Sequence, residues 1–538
     1  MLIKAVLMFV MALAAIGLGW PLLRILTPAR FAATRWPAGV AGFMGLFVAA
    51  SVAIIVNFVA PVVPAVSFAV LAAGLLSFAF VARRIGPWSW VALAGLCLAL
   101  TPVMLSHHEG YDGGLYHLPS QLWMVSEKIV FGLANLHGRF GFNSMNEALL
   151  SLGWINGGDL AAVQVLAGLF SVFLLLAVFE AVRDAADDAV RLYLGTMIGL
   201  CYIWMHGTVG MPMGWTSTDI PTAIAVLFSL YYGFAAAEND DRDDLVLSFF
   251  FAAFAIGLKP SGGIVALFPL AVAGLRVARA GWATVPLGQI LVIVLVFVPW
   301  TARNVIVSGC LAYPLTTSCL PLPWQASDVG YVDAIWAIAW GRAPATGLDH
   351  LTGWAWLPIW FSANFKFLLS WAAMALLGVI VAVSIGRRDP SRRPPVTAAV
   401  LLSVYALVAT AFWFLTAPAP RFGIGQLLAV ALLPGLWILV LARPGPSNER
   451  PMLWVPTSLL IASVIVTVGY SWRRGLDDDR SLFTYRPLVF AEVPTRVEGP
   501  VRRPIDDDRC YLTAPPCFLY GTLNESTLGS YRIYYGIK

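Results

Sequence analysis

The chain has 538 residues, of which 59% are hydrophobic and only 12% are charged, and its mean hydropathy is +0.79. A soluble globular protein has a much lower apolar fraction, so the composition excludes that class and predicts a polytopic membrane protein. The formal net charge is +5, and most of the positive charge is arginine placed between apolar runs. That placement is a topology signal rather than a nucleic-acid footprint, so we expect no nucleic-acid partner.

The apolar runs are continuous rather than alternating, which favours membrane-spanning helices over a β-barrel. In hydrocarbon every backbone donor and acceptor needs a partner within the protein, and only these two structures provide it. By length the runs predict an all-α fold with about 14 spanning helices. They cover residues 4–23, 38–60, 65–82, 88–105, 159–182, 190–206, 220–237, 245–258, 262–278, 284–300, 366–386, 396–415, 424–442 and 452–470.

Arginine residues sort into alternate loops between the predicted helices. The arginine-rich side includes Arg24, Arg83, Arg183 and Arg276, and the positive-inside rule makes it cytoplasmic. Because the number of predicted spans is even, both termini lie on the same side. The arginine pattern makes it the extracytoplasmic side, which also carries the long polar segments. Because long loops in a compact domain are usually functional, we expect the protein to act on its extracytoplasmic face.

The polar segments divide the chain into five parts. We expect an N-terminal three-helix segment, a transmembrane module with a long first outer loop, a second outer loop, C-terminal helices and an outer tail. These parts cover 1–87, 88–300 with the loop 106–158, 301–365, 366–470 and 471–538. Apolar spacing in the first outer loop predicts a helix lying along the membrane interface and a second short helix, and the tail pattern predicts short strands. These elements fall on 119–130, 144–154 and 531–535.

Four cysteines form two close pairs in the segments predicted to lie outside. Cys310 is near Cys319 in the second outer loop, and Cys510 is near Cys517 in the tail. In an oxidising compartment such pairs indicate local disulfides. Zinc ligation by the four thiols is the alternative, but neither pair has the short spacing of a zinc knuckle.

The stretch "SHHEGYDGGLYHLP" at the start of the first outer loop concentrates titratable residues. It contains Glu109, Asp112, His107, His108 and His117, with glycines that let the backbone bend close to a ligand. A carboxylate here could act as a general base toward a hydroxyl group, with Asp112 the first candidate and Glu109 its rival. A solvated loop with helix-capping acids is one alternative. A divalent metal such as Mg²⁺ or Mn²⁺ is another, although no HExxH-like spacing supports it.

Isolated polar and charged residues recur at other outer helix ends. Asp219 begins a helix in "GWTSTDIPTA", and Lys259 lies in "AIGLKPSGG" between two short spans. Arg303 and Asn304 follow "FVPWT", and Arg421 lies in "TAPAPRFGIG". Each has a structural alternative, such as an N-cap for Asp219 or a snorkelling Lys259. Together, however, Lys259, Arg303 and Arg421 could hold a phosphate or diphosphate.

These residues resemble a family. The long first outer loop with its aspartate, the Lys-Pro turn and "PWTARNVIVSGCLAYP" look like the GT-C superfamily of integral membrane glycosyltransferases. The similarity is to the group that uses polyprenyl-phosphate-linked sugars. The block "GLYHLPSQLWMVSEKIVFGLANLHGRFGFNSM", with the "APAPRFG" turn and the Cys-bearing tail, also resembles uncharacterised bacterial membrane proteins.

The resemblance implies a GT-C-like fold in the bacterial cytoplasmic membrane, with residues 88–300 as its catalytic module. It implies a polyprenyl-phosphate-sugar donor, a glycan, lipid or protein acceptor, and an inverting transfer at the outer surface. Asp112 matches the catalytic acid of that group, and Asp219 matches a second acidic residue that some members carry. Two alternatives stay open: a polysaccharide polymerase or ligase using a diphosphate-linked oligosaccharide, and a lipid or solute transporter.

Overall fold

The computed structural model of the chain describes most of its residues, and the structural statements below concern these alone. The described residues are 1–32, 37–105, 109–184, 188–208, 216–343, 347–349, 351–385, 394–442, 454–477, 493–498, 501–518 and 524–535.

Helices dominate the described part of the chain. In chain order the α-helices are α1 Leu2–Leu26, α2 Pro28–Ala32, α3 Ala38–Asn57, α4 Pro64–Ala79, α5 Pro87–Leu105, α6 Leu118–Ser126, α7 Met145–Ser151, α8 Ala161–Asp184, α9 Ala189–Thr208, α10 Asp219–Asn239, α11 Arg242–Leu258, α12 Leu267–Ala280, α13 Leu287–Ser308, α14 Ser327–Arg342, α15 Leu357–Ile385, α16 Val396–Thr416, α17 Ile424–Leu441 and α18 Trp454–Asp477.

Shorter elements join these helices and build the tail. A π-helical turn covers Gly113–His117, and 3₁₀ turns cover Ala82–Arg84, Leu133–Asn135, Gly138–Phe142, Pro260–Ala266, Trp282–Thr284, Thr316–Ser318 and Pro420–Phe422. Two antiparallel hairpins lie in the tail, made of β1 Thr495–Glu498, β2 Val501–Pro504, β3 Glu525–Leu528 and β4 Tyr531–Tyr534. The strand predicted near residues 531–535 is therefore present.

Each of the predicted spans coincides with a helix, and the expected class of all-α polytopic membrane protein is confirmed. In the described part of the chain, 10 helices are long and apolar enough to cross a membrane. The remaining predicted spans fall on α4, α9, α11 and α18, which are shorter or more polar, so the count of about 14 is not confirmed.

Close contacts through small residues hold the N-terminal helices α1 and α3 to each other. A Cβ at Gly19 would collide with the carbonyl of Ala41 in α3, and a Cβ at Gly45 would collide with the carbonyl of Ala15 in α1. Such small-residue contacts are how helices associate in lipid, where burial of apolar surface gives no net drive. The ring of Phe43 in α3 also packs 5.3 Å from that of Phe228 in α10.

The helix bundle has two chemically different ends. At one, which we call the arginine end, Arg30 pairs with Asp244, and Arg191 lies 3.5 Å from the same carboxylate. At the other, which we call the loop end, α5 finishes at Leu105 and α10 starts at Asp219. The alternation of arginine-rich and arginine-poor loops predicted this separation of the two ends.

The first long loop folds back into the protein at the loop end. The helix predicted along the membrane interface is shorter than expected, and its Trp123 and Met124 are buried in the protein. An interfacial helix would expose one polar face to water, whereas Gln121 is buried and accepts a 2.9 Å hydrogen bond from the indole of Trp154. Helix α6 thus packs against α7, which is buried as well, and its placement along the membrane interface stays a prediction.

Candidate active site

A cavity of about 840 Å³ opens at the loop end of the bundle. Its wall comes from the first loop, the start of α10, the end of α11, helix α14 and the turn between α16 and α17. Six residues predicted from the sequence line it together: Glu109, Asp112, His117, Asp219, Lys259 and Arg421. Elements far apart in the chain therefore meet at one place, and a concave site with convergent polar groups is the usual form of a ligand site.

Glycines at the start of the first loop make close contacts within the protein. A Cβ at Gly113 would collide with the carboxylate of Glu109, and a Cβ at Gly114 would lie 2.5 Å from the ring of Tyr511. The backbone carbonyl of Gly114 also accepts a 2.9 Å hydrogen bond from the N–H of Tyr511. These glycines thus let a carboxylate and the tail approach the backbone, in addition to any role toward a ligand.

Asp112 is paired with an arginine. The guanidinium Nη1 of Arg421 donates a 2.7 Å hydrogen bond to Oδ2 of Asp112, and both side chains are partly exposed to the cavity. Burial by itself raises the pKa of Asp112, but the charges of Arg421, His117 and Arg139 outweigh it and hold the pKa below its ordinary value. This carboxylate is therefore ionised over the physiological range.

Glu109 has the opposite electrostatic character. Desolvation raises its pKa to about 7, although the Thr216 hydroxyl, 2.9 Å from Oε2, and the Thr216 backbone N–H stabilise the charged form. The buried side-chain amide of Asn146 donates a 2.8 Å hydrogen bond to the Thr216 carbonyl and fixes this partner in place. Glu109 can therefore take up and release a proton near neutral pH.

His117 and Glu147 form a buried pair in the floor of the cavity. Nδ1 of His117 lies 3.0 Å from Oε1 of Glu147, and both side chains are almost fully buried. Glu147 lies in the first turn of α7, whose N-cap Ser144 donates a 2.7 Å hydrogen bond to the carbonyl of Leu258 at the end of α11. The pair is thus held by contacts between the first loop and the bundle.

Asp219 and Lys259 form a second ion pair in the wall. The ammonium of Lys259 contacts the carboxylate of Asp219 and lies 4.2 Å from the ring centre of Phe422. The Arg421 guanidinium lies 5.2 Å from the same ring and 4.4 Å from that of Trp340. Two cations therefore flank one aromatic ring, with attraction to the ring faces supporting both.

Sequence reasoning missed several residues of the wall, chiefly Arg139, Asp333 and Tyr116. Arg139 lies in a 3₁₀ turn of the first loop, and Asp333 lies in α14 of the second. Arg139 carries the same signal that singled out Arg421, an isolated arginine on the side predicted to be poor in arginine. Asp333 and Tyr116 carry no such signal, since their approach to the cavity depends on how the loops fold.

Two predicted site residues lie elsewhere. Arg303 and Asn304 are buried in α13 and do not line the cavity. The Arg303 guanidinium faces Asn57 of α3 at 3.5 Å, and the Asn304 amide donates to the carbonyl of Leu311. The structure therefore does not bring Arg303 together with Lys259 and Arg421 in this cavity, because the helical twist of α13 directs it toward α3.

The structure does not test the predicted role of His107 and His108 or the predicted divalent metal. His107 and His108 lie outside the described residues. Among the residues that the structure does describe, no three His, Cys, Asp or Glu side chains gather as a group that could hold a metal ion. The expected divalent metal, Mg²⁺ or Mn²⁺, stays a prediction.

The two disulfides are present as predicted. Cys310 is bonded to Cys319 in the second loop, and Cys510 is bonded to Cys517 in the tail. The second bond lies beside Tyr511, which packs on the first loop at Gly114.

The fold and the cavity define a multi-pass helical membrane protein with a polar site at one end of its bundle. The chain belongs to the family described as a domain of unknown function, DUF8201, whose model matches residues 1–428. No curated protein matches the chain.

The solved structures to which the chain is similar include two membrane proteins. One is the arabinosyltransferase EmbB from Mycobacterium smegmatis, with 15% identity and a TM-score of 0.31 over 76% of this chain. The match covers 43% of EmbB, so the chain spans less than half the length of that protein. The other is ArnT from Cupriavidus metallidurans bound to undecaprenyl phosphate, with 15% identity and a TM-score of 0.30, covering 70% of this chain and 77% of ArnT.

Proposed function

We propose that the protein is a membrane glycosyltransferase that moves a sugar from a polyprenyl-phosphate-linked donor to a cell-envelope acceptor. The reaction takes place at the outer face of the bacterial cytoplasmic membrane. The observation that carries the proposal is the pairing of two unlike carboxylates in one cavity. Glu109 exchanges a proton near pH 7, its pKa being about 7, whereas Asp112 is held ionised against Arg421.

The two carboxylates have separate roles in the proposed transfer. Glu109 accepts the proton of the acceptor hydroxyl as the hydroxyl oxygen attacks the anomeric carbon, since a general base works best when its pKa is near the working pH. Asp112 stays charged and orients Arg421. The sequence favoured Asp112 as the base. We assign that role to Glu109 instead, because the ion pair with Arg421 makes Asp112 a weak proton acceptor.

The cations around Phe422 serve the leaving group. As the new bond to the anomeric carbon forms, the bond from that carbon to the phosphate oxygen breaks, and its electron pair leaves with the polyprenyl phosphate. Lys259 and Arg421 stabilise the negative charge that develops there. Direct displacement of this kind inverts the anomeric carbon, and the activated donor supplies the driving force.

The walls suit a sugar. Aromatic rings of Tyr111, Trp340 and Phe422 line the same cavity as the carboxylates. Ring faces bury the apolar side of a sugar, while carboxylates accept hydrogen bonds from its hydroxyl groups. The cavity volume of about 840 Å³ lies within the range of pockets that enclose a small organic ligand.

The experiment is a transfer assay with the full chain in lipid nanodiscs. Undecaprenyl-phosphate-linked radiolabelled sugars are incubated with envelope glycans and lipids, and both transferred label and released undecaprenyl phosphate are measured. The proposal expects release and transfer in equal amounts. Glu109→Gln should reduce both by at least about 100-fold, which is the usual contribution of general base catalysis.

Control variants and alternative donors make the assay decisive. Arg279→Gln replaces an exposed arginine at the arginine end and should retain full activity. Turnover only with a diphosphate-linked oligosaccharide would identify a polymerase or ligase instead. Movement of the intact lipid across liposomes without bond cleavage would identify a transporter.

A further inference from the structure

Arg139 differs from the other two cations of the cavity in its carboxylate partners. Lys259 contacts the carboxylate of Asp219, and Arg421 donates to Asp112 at 2.7 Å. Arg139 lines the same cavity, but no described carboxylate lies within 4.0 Å of its guanidinium. Among the described residues Arg139 therefore has no carboxylate in direct contact, unlike Lys259 and Arg421.

The surroundings of Arg139 hold it in place without using up its donors. Its guanidinium lies 5.4 Å from the ring centre of Tyr116, and its backbone N–H donates to Nδ1 of His137 at 3.3 Å. A guanidinium has five N–H donors in a rigid fork that matches the two oxygens of a carboxylate or phosphate. Contact with this one tyrosine leaves most of that fork available.

A carboxylate from another loop stands beside this arginine. Gly138 precedes Arg139, and a Cβ at position 138 would collide with the carboxylate of Asp333 in α14. Asp333 accepts a 2.8 Å hydrogen bond from the hydroxyl of Tyr313, and within the described residues no cation pairs with it. The two oppositely charged groups are neighbours in the wall, each with capacity for a further hydrogen bond.

We propose that Arg139 and Asp333 form a second subsite of the cavity, which binds an acceptor sugar that carries an anionic group. Calling this ligand the acceptor rests on the proposed function. Arg139 takes the carboxylate or phosphate of that sugar through its free donor fork, and Asp333 accepts a hydrogen bond from one of its hydroxyl groups. The subsite is separate from Lys259 and Arg421, which flank Phe422 and already have carboxylate partners.

The test compares charged and neutral probes on the full chain in nanodiscs by ligand-observed NMR. Glucuronic acid, glucose 6-phosphate and glucose share one ring but differ in charge. The proposal expects the two anionic sugars to bind roughly tenfold more tightly than glucose, since a hydrogen bond to a charged group contributes on that scale. Arg139→Gln should remove this preference, and the matched Arg279→Gln should retain it.

A parallel titration with undecaprenyl phosphate separates the two subsites. The proposal expects Arg139→Gln to leave its affinity unchanged and Arg421→Gln to lower it. An equal loss in both variants would place Arg139 in the donor site and overturn the proposal. So would equal or absent binding of the charged and neutral sugars. Failure of undecaprenyl phosphate to bind the wild-type chain would instead count against the proposed function, while the sugar comparison would still decide the anion subsite.

Discussion

The Arg421 guanidinium lies 2.7 Å from the Asp112 carboxylate, although 309 residues separate them in the chain. Trp340, from a third segment, lies 4.4 Å from the same guanidinium. The first loop, helix α14 and the turn before α17 therefore converge on one ion pair. A site assembled this way depends on the relative positions of three segments, so the pair reports on both folding and ligand binding.

The Asp112–Arg421 pair should give a clear interaction energy in a double-mutant cycle. Asp112→Asn and Arg421→Gln each leave one partner without its counter-ion, whereas the double variant removes both charges. We expect the two single-variant losses of unfolding free energy, added together, to exceed the loss in the double variant by about 1–2 kcal/mol. The energy is this small because both side chains are partly exposed. Thermal unfolding of the four proteins in detergent measures this energy, and additive effects would show that the pair contributes nothing to folding.

Glu109 should control the pH dependence of transfer. Its pKa of about 7 means that the carboxylate form, which accepts the proton, becomes predominant as pH rises through 7. Activity should therefore increase across that range in the wild-type protein, and Glu109→Gln should abolish both the increase and most of the rate. Asp112 is ionised throughout, so Asp112→Asn should lower the rate without moving the pH profile. A profile displaced by Asp112→Asn would reassign the base.

The stability of the folded protein should fall as pH rises, because folding raises the pKa of Glu109. Below about pH 4.5, the ordinary pKa of the group, the carboxyl is protonated in both the folded and the unfolded chain. Between about pH 4.5 and 7 the unfolded chain ionises this carboxyl while the folded chain keeps it protonated, so the folded protein loses stability across that window, and the loss is complete above pH 7. Glu109→Gln should therefore be more stable than wild type at pH 8, by at most about 3 kcal/mol, and equal to it near pH 4. Differential scanning fluorimetry at both pH values tests this sign.

Gly138 should be intolerant of a side chain. A Cβ at this position would collide with the Asp333 carboxylate, so Gly138→Ala should force the two loops apart and cost about 1–3 kcal/mol. Gly274→Ala is a matched control, since Gly274 lies in α12 and a methyl group added there would meet nothing within 4 Å. Thermal unfolding of both variants tests this expectation. Equal unfolding midpoints would contradict the close contact between Gly138 and Asp333.

The tail should loosen when its contact with the first loop is weakened. The Tyr111 hydroxyl donates to the carboxylate of Asp508, and the backbone of Tyr511 bonds to that of Gly114. Tyr111→Phe removes one of these bonds, so hydrogen exchange of residues 501–518 should become about fivefold faster. Tyr331→Phe, at an exposed position of α14, serves as the control. Unchanged exchange in Tyr111→Phe would mean that the hydroxyl does not help to dock the tail.

Much of the site could be predicted because isolated charges at helix ends are costly and therefore informative. Asp219 begins the membrane-length helix α10, Lys259 directly follows α11, and the two residues pair with each other across the wall. The same reasoning did not foresee that Arg303 lies outside the cavity, because its position along the sequence does not say which face of α13 it occupies. Asp333 could not be identified, since a single acid in a long loop has many possible surroundings.

Hydrophobicity, arginine distribution and cysteine spacing by themselves determined the helical membrane class, the two ends of the bundle and both disulfides. The first two follow from the cost of leaving backbone or charge in lipid, and the disulfides follow from the close spacing of each cysteine pair along the sequence. The tertiary structure decided which carboxylate is held ionised and which one titrates near neutral pH. That difference depends on burial and on partners such as Arg421 and Thr216, and long-range packing alone brings those partners to Asp112 and Glu109.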